Sequence, residues 1–464
     1  MEYDIVVIGA GPGGYVAAIR MAQLGKNVAL VERDRIGGVC LNWGCIPTKA
    51  LCQATKESAR IRSAETMGIH VDGLRIDRVE LATWKQGVVD TLVSGIGQVL
   101  SANGVEVIHD EVVAMSPGCV ALATQRSLSC SQIVIATGSS PVQIPGFSFS
   151  SPWVWSSSDA LSLEEIPPRL LIVGAGVIGL ELASIYSRLG SSVTILEMAK
   201  EILPTMDLGR RLRMQLQRVI QNEGMTLRLG DAASGVEETG DICRVTTQSG
   251  EVIDADRVLL AVGRRPNSRE PLLQDASIEL DDRGFVKVDP TLQTSIDGIY
   301  AIGDLVAGPQ LAHKASAEGV FVAELLGGSE QEDRPAINYE TIPQAVFTDP
   351  ELGAVGMSEQ TARTKGIDVC VGRFPYAALG KAVAMEETTG LFEIIADASS
   401  RTLVGCQILG AEASTLIAVA AIAVQHGMTV EELAESIQAH PTLSEGIKEA
   451  AEAALGRAIH AINR

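Results

Sequence analysis

Short apolar runs separated by helix-like segments characterise the first part of the chain. Residues 4–8 form an apolar run typical of a buried parallel strand, and residues 28–31 form a second run that ends in Glu32. Between them a helix is predicted over residues 15–24, preceded by a G-x-G-x-x-G motif made of Gly9, Gly11 and Gly14. Such glycines let a pyrophosphate approach a helix N-terminus, and an acid eighteen residues after the third glycine suits ribose hydroxyls. The pattern predicts a dinucleotide site.

The same pattern recurs near the middle of the chain. A predicted strand over residues 170–173 leads into a second G-x-G-x-x-G motif, and a strand over residues 193–196 ends in Glu197. The glycines of this copy are Gly174, Gly176 and Gly179. The acid again lies eighteen residues after the third glycine. The chain therefore carries two predicted dinucleotide-binding units of one plan.

Each unit is followed by a closing apolar run. The first run, IVIATG, covers residues 133–138, and the second, VLLAVG, covers residues 258–263. They end in Gly138 and Gly263, and a proline-containing turn is predicted after each glycine. The predicted turns are Ser140-Pro141 and Arg265-Pro266-Asn267. The repeat thus extends well beyond the glycine motif.

The remaining sequence predicts additional helices and a separate final domain. Residues 51–103 favour a pair of long helices that pad the first domain. A strand over residues 299–305 carries Asp304, ahead of a helix over residues 310–326. An aspartate there can bind a cofactor hydroxyl, and the alternative is an ordinary helix cap. From residue 339 onwards, short strands alternate with helices, as in an α+β domain.

Composition bounds the expected partners and the compartment. The chain has 464 residues, enough for about two to four domains, and a formal net charge of −20 from 37 basic and 57 acidic side chains. Such a surface repels phosphate backbones and anionic lipid, so neither nucleic acid nor a membrane is expected as a partner. The longest apolar run, residues 416–424, predicts a buried helix rather than a span of about 18 residues. The N-terminus does not resemble a signal peptide, and eight cysteines fit a reducing cytoplasm.

Two cysteines supply the candidate redox chemistry. Cys40 and Cys45 stand five positions apart, and Pro47 suits the first turn of a helix. Cys45 is therefore expected at a helix start, where the positive end of the helix favours a thiolate, with Lys49 on the same face. A thiol of lowered pKa with a second thiol nearby performs dithiol–disulfide exchange. The alternatives are core cysteines, a zinc site that lacks further ligands, and a structural disulfide.

A histidine near the C-terminus is a candidate base. His440 is followed by Pro441, and Glu445 is placed to hydrogen-bond the imidazole and orient it. A lone histidine is usually a surface residue or a satisfied core residue. A His–Glu pair, in contrast, is a plausible general base for a thiol.

Three segments resemble the pyridine nucleotide–disulfide oxidoreductases, a family of FAD enzymes. They are IGGVCLNWGCIPTK at 36–49, YAIGDLVAGPQLAHKASAEG at 300–319 and HPTLSEGIKEAA at 440–451. The resemblance covers nearly the whole chain and implies an α/β fold with two Rossmann-like dinucleotide-binding domains plus a C-terminal α+β dimerisation domain. The implied domains are 1–149 for the first part of the FAD-binding domain, 150–270 for the NAD-binding domain, 271–338 for the second part of the FAD-binding domain, and 339–464 for the homodimer interface.

The resemblance also implies roles for individual residues. Cys40 corresponds to the interchange thiol that reacts with the substrate, and Cys45 to the flavin-side thiol. Lys49 is expected at the reactive edge of the flavin, paired with Glu181. Asp304 is expected to contact the ribityl chain of FAD.

The catalytic base implied by the resemblance belongs to the other subunit of a homodimer. His440 of the partner subunit takes the proton of the substrate thiol, and Glu445 holds its ring. Val39 and Trp43 depart from the Thr and Val that many family members carry beside the thiols. The other expected cofactor-binding residues are Gly9, Gly11, Gly14, Glu32, Gly138, Gly174, Gly176, Gly179, Glu197, Gly263 and Ala312.

A few positions indicate the coenzyme and the substrate class within the family. Glu197 is followed by Met198-Ala199-Lys200 without an arginine, which favours NAD over NADP. The blocks at 375–390 and 405–414 are most similar to the dihydrolipoamide dehydrogenases. The implied reaction is FAD-dependent oxidation of dihydrolipoamide by NAD+, serving a lipoylated carrier protein of a 2-oxoacid dehydrogenase or glycine-cleavage complex. The alternatives are another flavoprotein disulfide reductase, a diaphorase, or a flavoprotein scaffold whose disulfide only senses redox state.

Overall fold

The computed structural model of the chain describes residues 2–240, 242–269, 271–328 and 336–463. Residues 1, 270 and 464, which are three of the predicted domain ends, lie outside the described residues. Elements are numbered below in chain order.

The first unit is a parallel sheet that packs against helices on one face and chiefly against an antiparallel extension on the other. Its strands are β1 (Tyr3–Ile8), β2 (Val28–Glu32), β3 (Glu106–His109), β4 (Val112–Ser116), β5 (Cys119–Leu122), β6 (Ser127–Ile135) and β7 (Ser139–Pro141). Its helices are α1 (Pro12–Gln23), α2 (Gly38–Trp43), α3 (Cys45–Ser63) and α4 (Arg78–Ala102), with a 3-10 turn at Ala64–Met67. The sheet order is β3-β2-β1-β6-β5-β4. Strands β1 and β2 are almost entirely buried, as their apolar runs predict.

The second unit repeats the parallel arrangement. Its strands are β8 (Val154–Trp155), β9 (Arg169–Val173), β10 (Ser192–Glu197), β11 (Thr226–Leu229), β12 (Ala233–Thr239), β13 (Ile242–Thr247), β14 (Val252–Ala255), β15 (Arg257–Leu260) and β16 (Arg264–Pro266). Its helices are α5 (Ser157–Ser162), α6 (Val177–Leu189) and α7 (Arg210–Asn222). The parallel sheet has the order β11-β10-β9-β15-β8, and β12, β13 and β14 form a separate antiparallel sheet.

After the second unit the chain returns to the first. This segment contains a 3-10 turn at Asn267–Arg269, α8 (Pro271–Asp275), β17 (Ile299–Ala301), a 3-10 turn at Gly303–Leu305 and α9 (Ala312–Leu326). Strand β17 pairs in parallel with β6 and so completes the first sheet. Helix α9 packs closely on α1, because a Cβ atom added at Gly319 would lie 2.5 Å from the carbonyl oxygen of Gly13.

The last part of the chain is an antiparallel sheet covered by helices. Its strands are β18 (Gln344–Val346), β19 (Glu351–Gly356), β20 (Val369–Pro375), β21 (Leu391–Asp397) and β22 (Leu403–Gly410), in the order β18-β19-β22-β21-β20. Its helices are α10 (Glu359–Thr364), α11 (Gly380–Ala384), α12 (Ala413–Gln425), α13 (Val430–Glu435) and α14 (Glu445–Ala454), with 3-10 turns at Tyr339–Thr341 and Tyr376–Ala378. This is the predicted α+β domain.

Two local predictions need correction. The two proline-containing turns after the closing runs are short strands, β7 and β16, which pair with each other and join the two units. Their pairing partners lie more than a hundred residues apart, so no local pattern indicates them. Helix α12 is apolar but only partly buried within one chain, because Val419 and Ile422 are exposed.

Candidate active site

The two glycine motifs have the same geometry. Gly9 and Gly174 have φ values of +98° and +111°, in the left-handed region that favours glycine. A Cβ atom at Gly14 would lie 1.8 Å from the carbonyl oxygen of Gly9, and one at Gly179 would lie 2.0 Å from that of Gly174. The third glycine of each motif is therefore required by helix–strand packing.

The second glycine of each motif meets open space instead. A Cβ atom at Gly11 or Gly176 would have no heavy atom within 4 Å, and both residues line one large cavity. Each stands at the N-cap of its helix, α1 or α6, where backbone N–H groups have no intrahelical partner. These two helix starts are suited to hold the pyrophosphate of a dinucleotide.

The acid of the first unit is held by backbone groups. Glu32 is buried at the end of β2, where Oε2 accepts the N–H of Ala10 at 2.7 Å and Oε1 accepts the N–H of Asp34 at 2.9 Å. Each carboxylate oxygen has a lone pair left, so the group is oriented in advance for hydroxyl donors.

The second unit repeats this arrangement residue for residue. Oε2 of Glu197 accepts the N–H of Ala175 at 2.7 Å, and Oε1 accepts the N–H of Ala199 at 2.8 Å. The two predicted acids therefore occupy equivalent positions in equivalent surroundings.

One cavity of about 2220 Å³ connects these features. It runs past both glycine motifs, both acids and the two thiols, so the two units face a common space. The predicted site residues that line it are Gly9, Gly11, Glu32, Cys40, Cys45, Lys49, Gly138, Gly174, Gly176, Glu181, Glu197, Gly263, Asp304 and Ala312.

The two thiols lie at adjoining helix ends. Cys40 is in the short helix α2, which sequence reasoning did not predict, and Cys45 is the first residue of α3, as predicted. Both are free thiols that share a hydrogen bond. Because Cys40 donates this bond and is partly buried, its pKa is raised. Accepting the bond lowers the pKa of Cys45 to about 7, and the positive charge of Lys49 lowers it as well. Burial alone would raise this pKa.

The predicted Lys49–Glu181 pair is present. Nζ of Lys49 lies 3.0 Å from Oε2 and 3.2 Å from Oε1 of Glu181. The Phe347 N–H donates to Oε1 of Glu181 at 3.0 Å, and the ammonium lies 4.3 Å from the centroid of the Phe347 ring. Phe347 was not predicted as a site residue. It fixes the ion pair from the final domain, 166 residues from Glu181, a contact that no local spacing indicates.

Asp304 is joined to the closing runs of both units. The hydroxyl of Ser139 donates to Oδ2 of Asp304 at 2.6 Å, and Nε of Arg264 donates to the Ser139 Oγ atom at 2.8 Å. The alternative prediction, that Asp304 caps the following helix, is wrong because Leu311 occupies the N-cap of α9. Ser139 and Arg264 are further cavity residues that sequence reasoning missed.

The predicted His440–Glu445 pair is formed, but it lies away from the cavity that contains the thiols. Nδ1 of His440 is 2.8 Å from Oε1 of Glu445, and the Thr442 N–H donates to Oε2 at 2.8 Å. Against the effect of burial, these contacts lower the pKa of the Glu445 carboxyl. The His440 side chain is 77% exposed, and neither residue of the pair is among the described residues lining the cavity. Within one chain, the base and the thiols are not brought together.

Metal chemistry has no support in the described part of the chain. No group of three or more His, Cys, Asp or Glu side chains among the described residues could hold a metal ion. The zinc alternative for the cysteines is therefore without the ligands it requires. Among the same residues, no helix is long and apolar enough to cross a membrane.

Comparisons with known proteins identify the class. Residues 3–319 match the family described as pyridine nucleotide–disulphide oxidoreductase, and residues 342–451 match the dimerisation domain of that family. The chain belongs to the pyridine nucleotide–disulphide oxidoreductases. It is an oxidoreductase that forms a homodimer.

Proteins similar to this chain over nearly its whole length include dihydrolipoyl dehydrogenases and a flavoprotein disulfide reductase. The dihydrolipoyl dehydrogenase of Haloferax volcanii is 43% identical, covering 99% of this chain and 98% of its own. That of Geobacillus stearothermophilus is 41% identical, covering 100% and 98%. LpdA from Mycobacterium tuberculosis has a TM-score of 0.89 at 27% identity, covering 97% and 99%. The HOCl-induced flavoprotein disulfide reductase RclA from Escherichia coli has a TM-score of 0.86 at 28% identity, covering 97% and 99%.

The cofactors of the chain are FAD and NAD(H), and the described residues fit them. There are two dinucleotide cradles, each with an open second glycine at a helix start and a pre-oriented carboxylate. Both cradles open into the cavity that also contains the thiols. The fit extends over both predicted dinucleotide units.

Proposed function

We propose that the chain is a dihydrolipoyl dehydrogenase that oxidises dihydrolipoamide to lipoamide and reduces NAD+ to NADH. The observation that supports this best is the placement of a low-pKa thiol, a paired lysine and two dinucleotide cradles around one cavity. A dithiol donor and a hydride acceptor exchange electrons poorly in direct contact, and FAD when bound supplies the two-electron carrier between them.

The two thiols have different tasks in this proposal. In the oxidised enzyme they form a disulfide, and a thiolate of the substrate attacks the sulfur of Cys40. Cys45 leaves as a thiolate, which the start of α3 and the nearby Lys49 stabilise. The second substrate thiol then breaks the mixed disulfide, so that cyclic lipoamide departs and Cys40 is released as a thiol. The substrate has lost two electrons, and the cysteine pair has gained them.

The substrate proton goes to His440 of the partner subunit. Glu445 binds Nδ1 of that ring, so Nε2 is the atom free to take a proton from the substrate thiol. The carboxylate also stabilises the imidazolium that forms. This assignment explains why the His440 side chain is largely exposed in one chain, since in the dimer a second subunit is expected to cover it.

The remaining assignments follow the same scheme. Gly9, Gly11, Gly14, Glu32, Gly138, Asp304 and Ala312 bind FAD, and Gly174, Gly176, Gly179, Glu197 and Gly263 bind NAD. Residues 1–149 and 271–338 form the FAD-binding domain, residues 150–270 the NAD-binding domain and residues 339–464 the interface. The pairing of β17 with β6 supports the two-part FAD domain.

The physiological donor in this proposal is a lipoylated carrier protein of a 2-oxoacid dehydrogenase or glycine-cleavage complex, in the cytoplasm. Eight free cysteines are in keeping with that compartment. Capture on immobilised lipoylated carrier domains, with unlipoylated domains as the control, tests the partner.

Turnover of the purified, FAD-loaded dimer tests the activity. Dihydrolipoamide and NAD+ should give NADH at a rate that saturates with both substrates. NADH oxidation by a quinone or ferricyanide without any dihydrolipoamide activity would favour the diaphorase alternative. Neither activity, from a protein that holds FAD, would favour the redox-sensing scaffold.

A further inference from the structure

A fully buried ion pair lies next to the turn that carries Asp304. The mechanism above assigns no role to either of its residues. Nζ of Lys314 lies 3.1 Å from Oε1 of Glu318 on helix α9, and both side chains have 0% exposure. Lys314 stands in the first turn of α9, where the positive end of the helix disfavours a cation. Burial raises the pKa of the Glu318 carboxyl, as expected for a charge removed from water. Stability alone does not explain such a pair, because an apolar pair often serves as well.

Two of the other hydrogen bonds of the pair are made to one residue, Gly303, and a longer one joins Nζ of Lys314 to the carbonyl oxygen of Val306 at 3.4 Å. Nζ of Lys314 donates to the carbonyl oxygen of Gly303 at 2.7 Å, and the Gly303 N–H donates to Oε2 of Glu318 at 2.7 Å. The Tyr339 hydroxyl donates to Oε1 of Glu318 at 2.7 Å, the same oxygen that Lys314 contacts, and further restrains the carboxylate. The ion pair therefore binds both backbone polar groups of Gly303.

Gly303 immediately precedes Asp304, so its backbone sets the position of that carboxylate. Its φ value of +76° lies in the left-handed region, and this turn takes the chain from the end of β17 towards the cavity, where both residues are part of the wall. A residue in this conformation keeps one geometry only if its surroundings restrain it. Two charge-assisted hydrogen bonds to one peptide residue supply that restraint.

We propose that Lys314, Glu318 and Tyr339 are positioning residues that hold Asp304 in place for the ribityl hydroxyls of FAD. They act through the backbone of Gly303 and do not touch the cofactor. The inference rests on the FAD-binding role given to Asp304 under the proposed function. Because Tyr339 opens the final domain, the arrangement also connects that domain to the flavin site.

The experiment measures the dissociation constant of FAD by dilution of the holoenzyme, for Glu318→Gln, Asp304→Ala and the double variant. Glu318→Gln keeps the size of the side chain but leaves Lys314 without its counter-charge. We expect FAD to bind at least about tenfold more weakly, the equivalent of ~1.4 kcal/mol. In the Asp304→Ala background the same substitution should have almost no further effect, because residues that act through one another are not additive.

Glu324→Gln is the matched control. Glu324 is on the same helix and pairs with Arg20 of α1 at 3.0 Å, away from Gly303. It should lower the melting temperature of the holoenzyme without changing FAD affinity by more than about twofold, a factor within experimental scatter. An equal loss of FAD in Glu318→Gln and Glu324→Gln would reduce the buried pair to a general stabiliser and overturn the inference.

The double variant separates the two possible failures. If Asp304→Ala binds FAD as tightly as the unchanged chain, the role proposed for Asp304 is wrong. If Asp304→Ala weakens FAD but Glu318→Gln adds its full factor on top, Asp304 keeps its role and the positioning inference is wrong. Should Glu318→Gln not fold, Tyr339→Phe keeps the ion pair and removes one hydrogen bond. About threefold weaker FAD binding is then expected, again only with Asp304 present.

Discussion

The first and second dinucleotide units share a frame and differ in what is inserted into it. In both, the third glycine packs on the first, and an acid at the end of the second strand accepts two backbone N–H groups. Between that acid and the next parallel strand lie residues 33–105 in the first unit but only residues 198–225 in the second. The longer connection holds α2 and α3 with both thiols. In the proposed function, the shared frame binds the nucleotides and the thiols of the insertion carry the redox chemistry.

A second difference concerns the closing runs. Ser139 follows Gly138 in one unit, and Arg264 follows Gly263 in the other, at equivalent positions of β7 and β16. The guanidinium donates to the Ser139 Oγ atom at 2.8 Å, and Ser139 in turn donates to Asp304. The two equivalent positions of the repeat therefore hold different residues, and these residues hydrogen-bond to each other. A sequence difference between two copies of a repeat can thus create a contact between the copies.

The largest effect is expected from removing a thiol of the insertion, residues 33–105, that distinguishes the first unit from the second. Cys45→Ser should lower dihydrolipoamide:NAD+ turnover at least about a thousandfold, because the leaving thiolate is lost. NADH oxidation by ferricyanide, which needs the nucleotide sites but no disulfide, should persist. Both rates are measured on the same FAD-loaded preparation.

Cys52→Ser is the control for that substitution. Cys52 lies farther along α3, where burial raises its thiol pKa to about 12, so it should be inert. If a Cys45→Ser variant still oxidised dihydrolipoamide, the Cys45 thiol of the insertion would not be needed for the reaction.

The shared frame is tested by alanine at the glycines of the second motif. Gly179→Ala forces a Cβ atom against the carbonyl oxygen of Gly174, 2.0 Å away, and overpacking of this kind destabilises by roughly 1–3 kcal/mol. Gly176→Ala enters open space, so it should weaken NAD+ binding without lowering the melting temperature. Calorimetric unfolding and NAD+ titration separate the two effects. Equal melting temperatures for the two variants would contradict the packing explanation.

The electrostatics of the insertion are tested through the pKa of Cys45. Lys49→Met should raise that pKa above about 7, because Glu181 then lies near the thiolate without its counter-charge. Alkylation of Cys45 in the reduced protein by iodoacetamide, followed by peptide mass analysis across pH, reports the midpoint. Lys56→Met is the control on the same helix, since Lys56 pairs with Asp349. A midpoint unchanged by Lys49→Met would remove the lysine from thiolate stabilisation.

The same thiol gives a stability prediction with a defined sign. The pKa of Cys45 falls from its ordinary 9.0 to about 7 on folding, so its thiolate favours the folded state. This contribution is largest near pH 9.0 and is lost as the pH falls through about 7, whereas above pH 9.0 the raised pKa of Cys40 acts in the opposite direction. Denaturant unfolding of the reduced protein across this window should show the loss, and Cys45→Ser should not.

The smallest effect concerns coenzyme choice in the second unit. The Glu197 carboxylate should accept ribose hydroxyls and repel a 2′-phosphate, which favours NAD over NADP by at least about tenfold, or ~1.4 kcal/mol. Glu197→Gln should reduce that ratio, whereas Glu201→Gln, whose exposed carboxylate pairs with the buried Arg213, should leave it unchanged. The kcat/KM values for the two coenzymes provide the test. Equal values in the unchanged chain would contradict the role given to Glu197.

Predictions from the sequence succeeded where the physics is local. The helix start at Cys45 is confirmed, as expected from Pro47, and the paired acids occupy equivalent positions in the two units. Apolar runs likewise predicted the parallel strands, because burial on both faces leaves a continuous apolar segment.

The missed residues depend on contacts between distant parts of the chain. Ser139 meets Asp304 across 165 residues, and Phe347 meets Glu181 across 166. Their partners are chosen by the packing of domains, and neither spacing nor periodicity contains that information. The partner-subunit position of His440 is beyond one chain for the same reason and stays a prediction drawn from the family.

Joint refolding of two inactive variants tests most directly whether the thiols and the base form one site across the dimer. His440→Ala and Cys40→Ser dimers should each be nearly inactive. Random pairing of equal amounts makes about half of the dimers mixed, and each mixed dimer regains one complete site. Dihydrolipoamide:NAD+ turnover of the FAD-loaded mixture should therefore return to about a quarter of the unchanged enzyme's rate. No recovery, with mixed dimers shown to be present by mass, would mean that His440 serves its own subunit or is not the base.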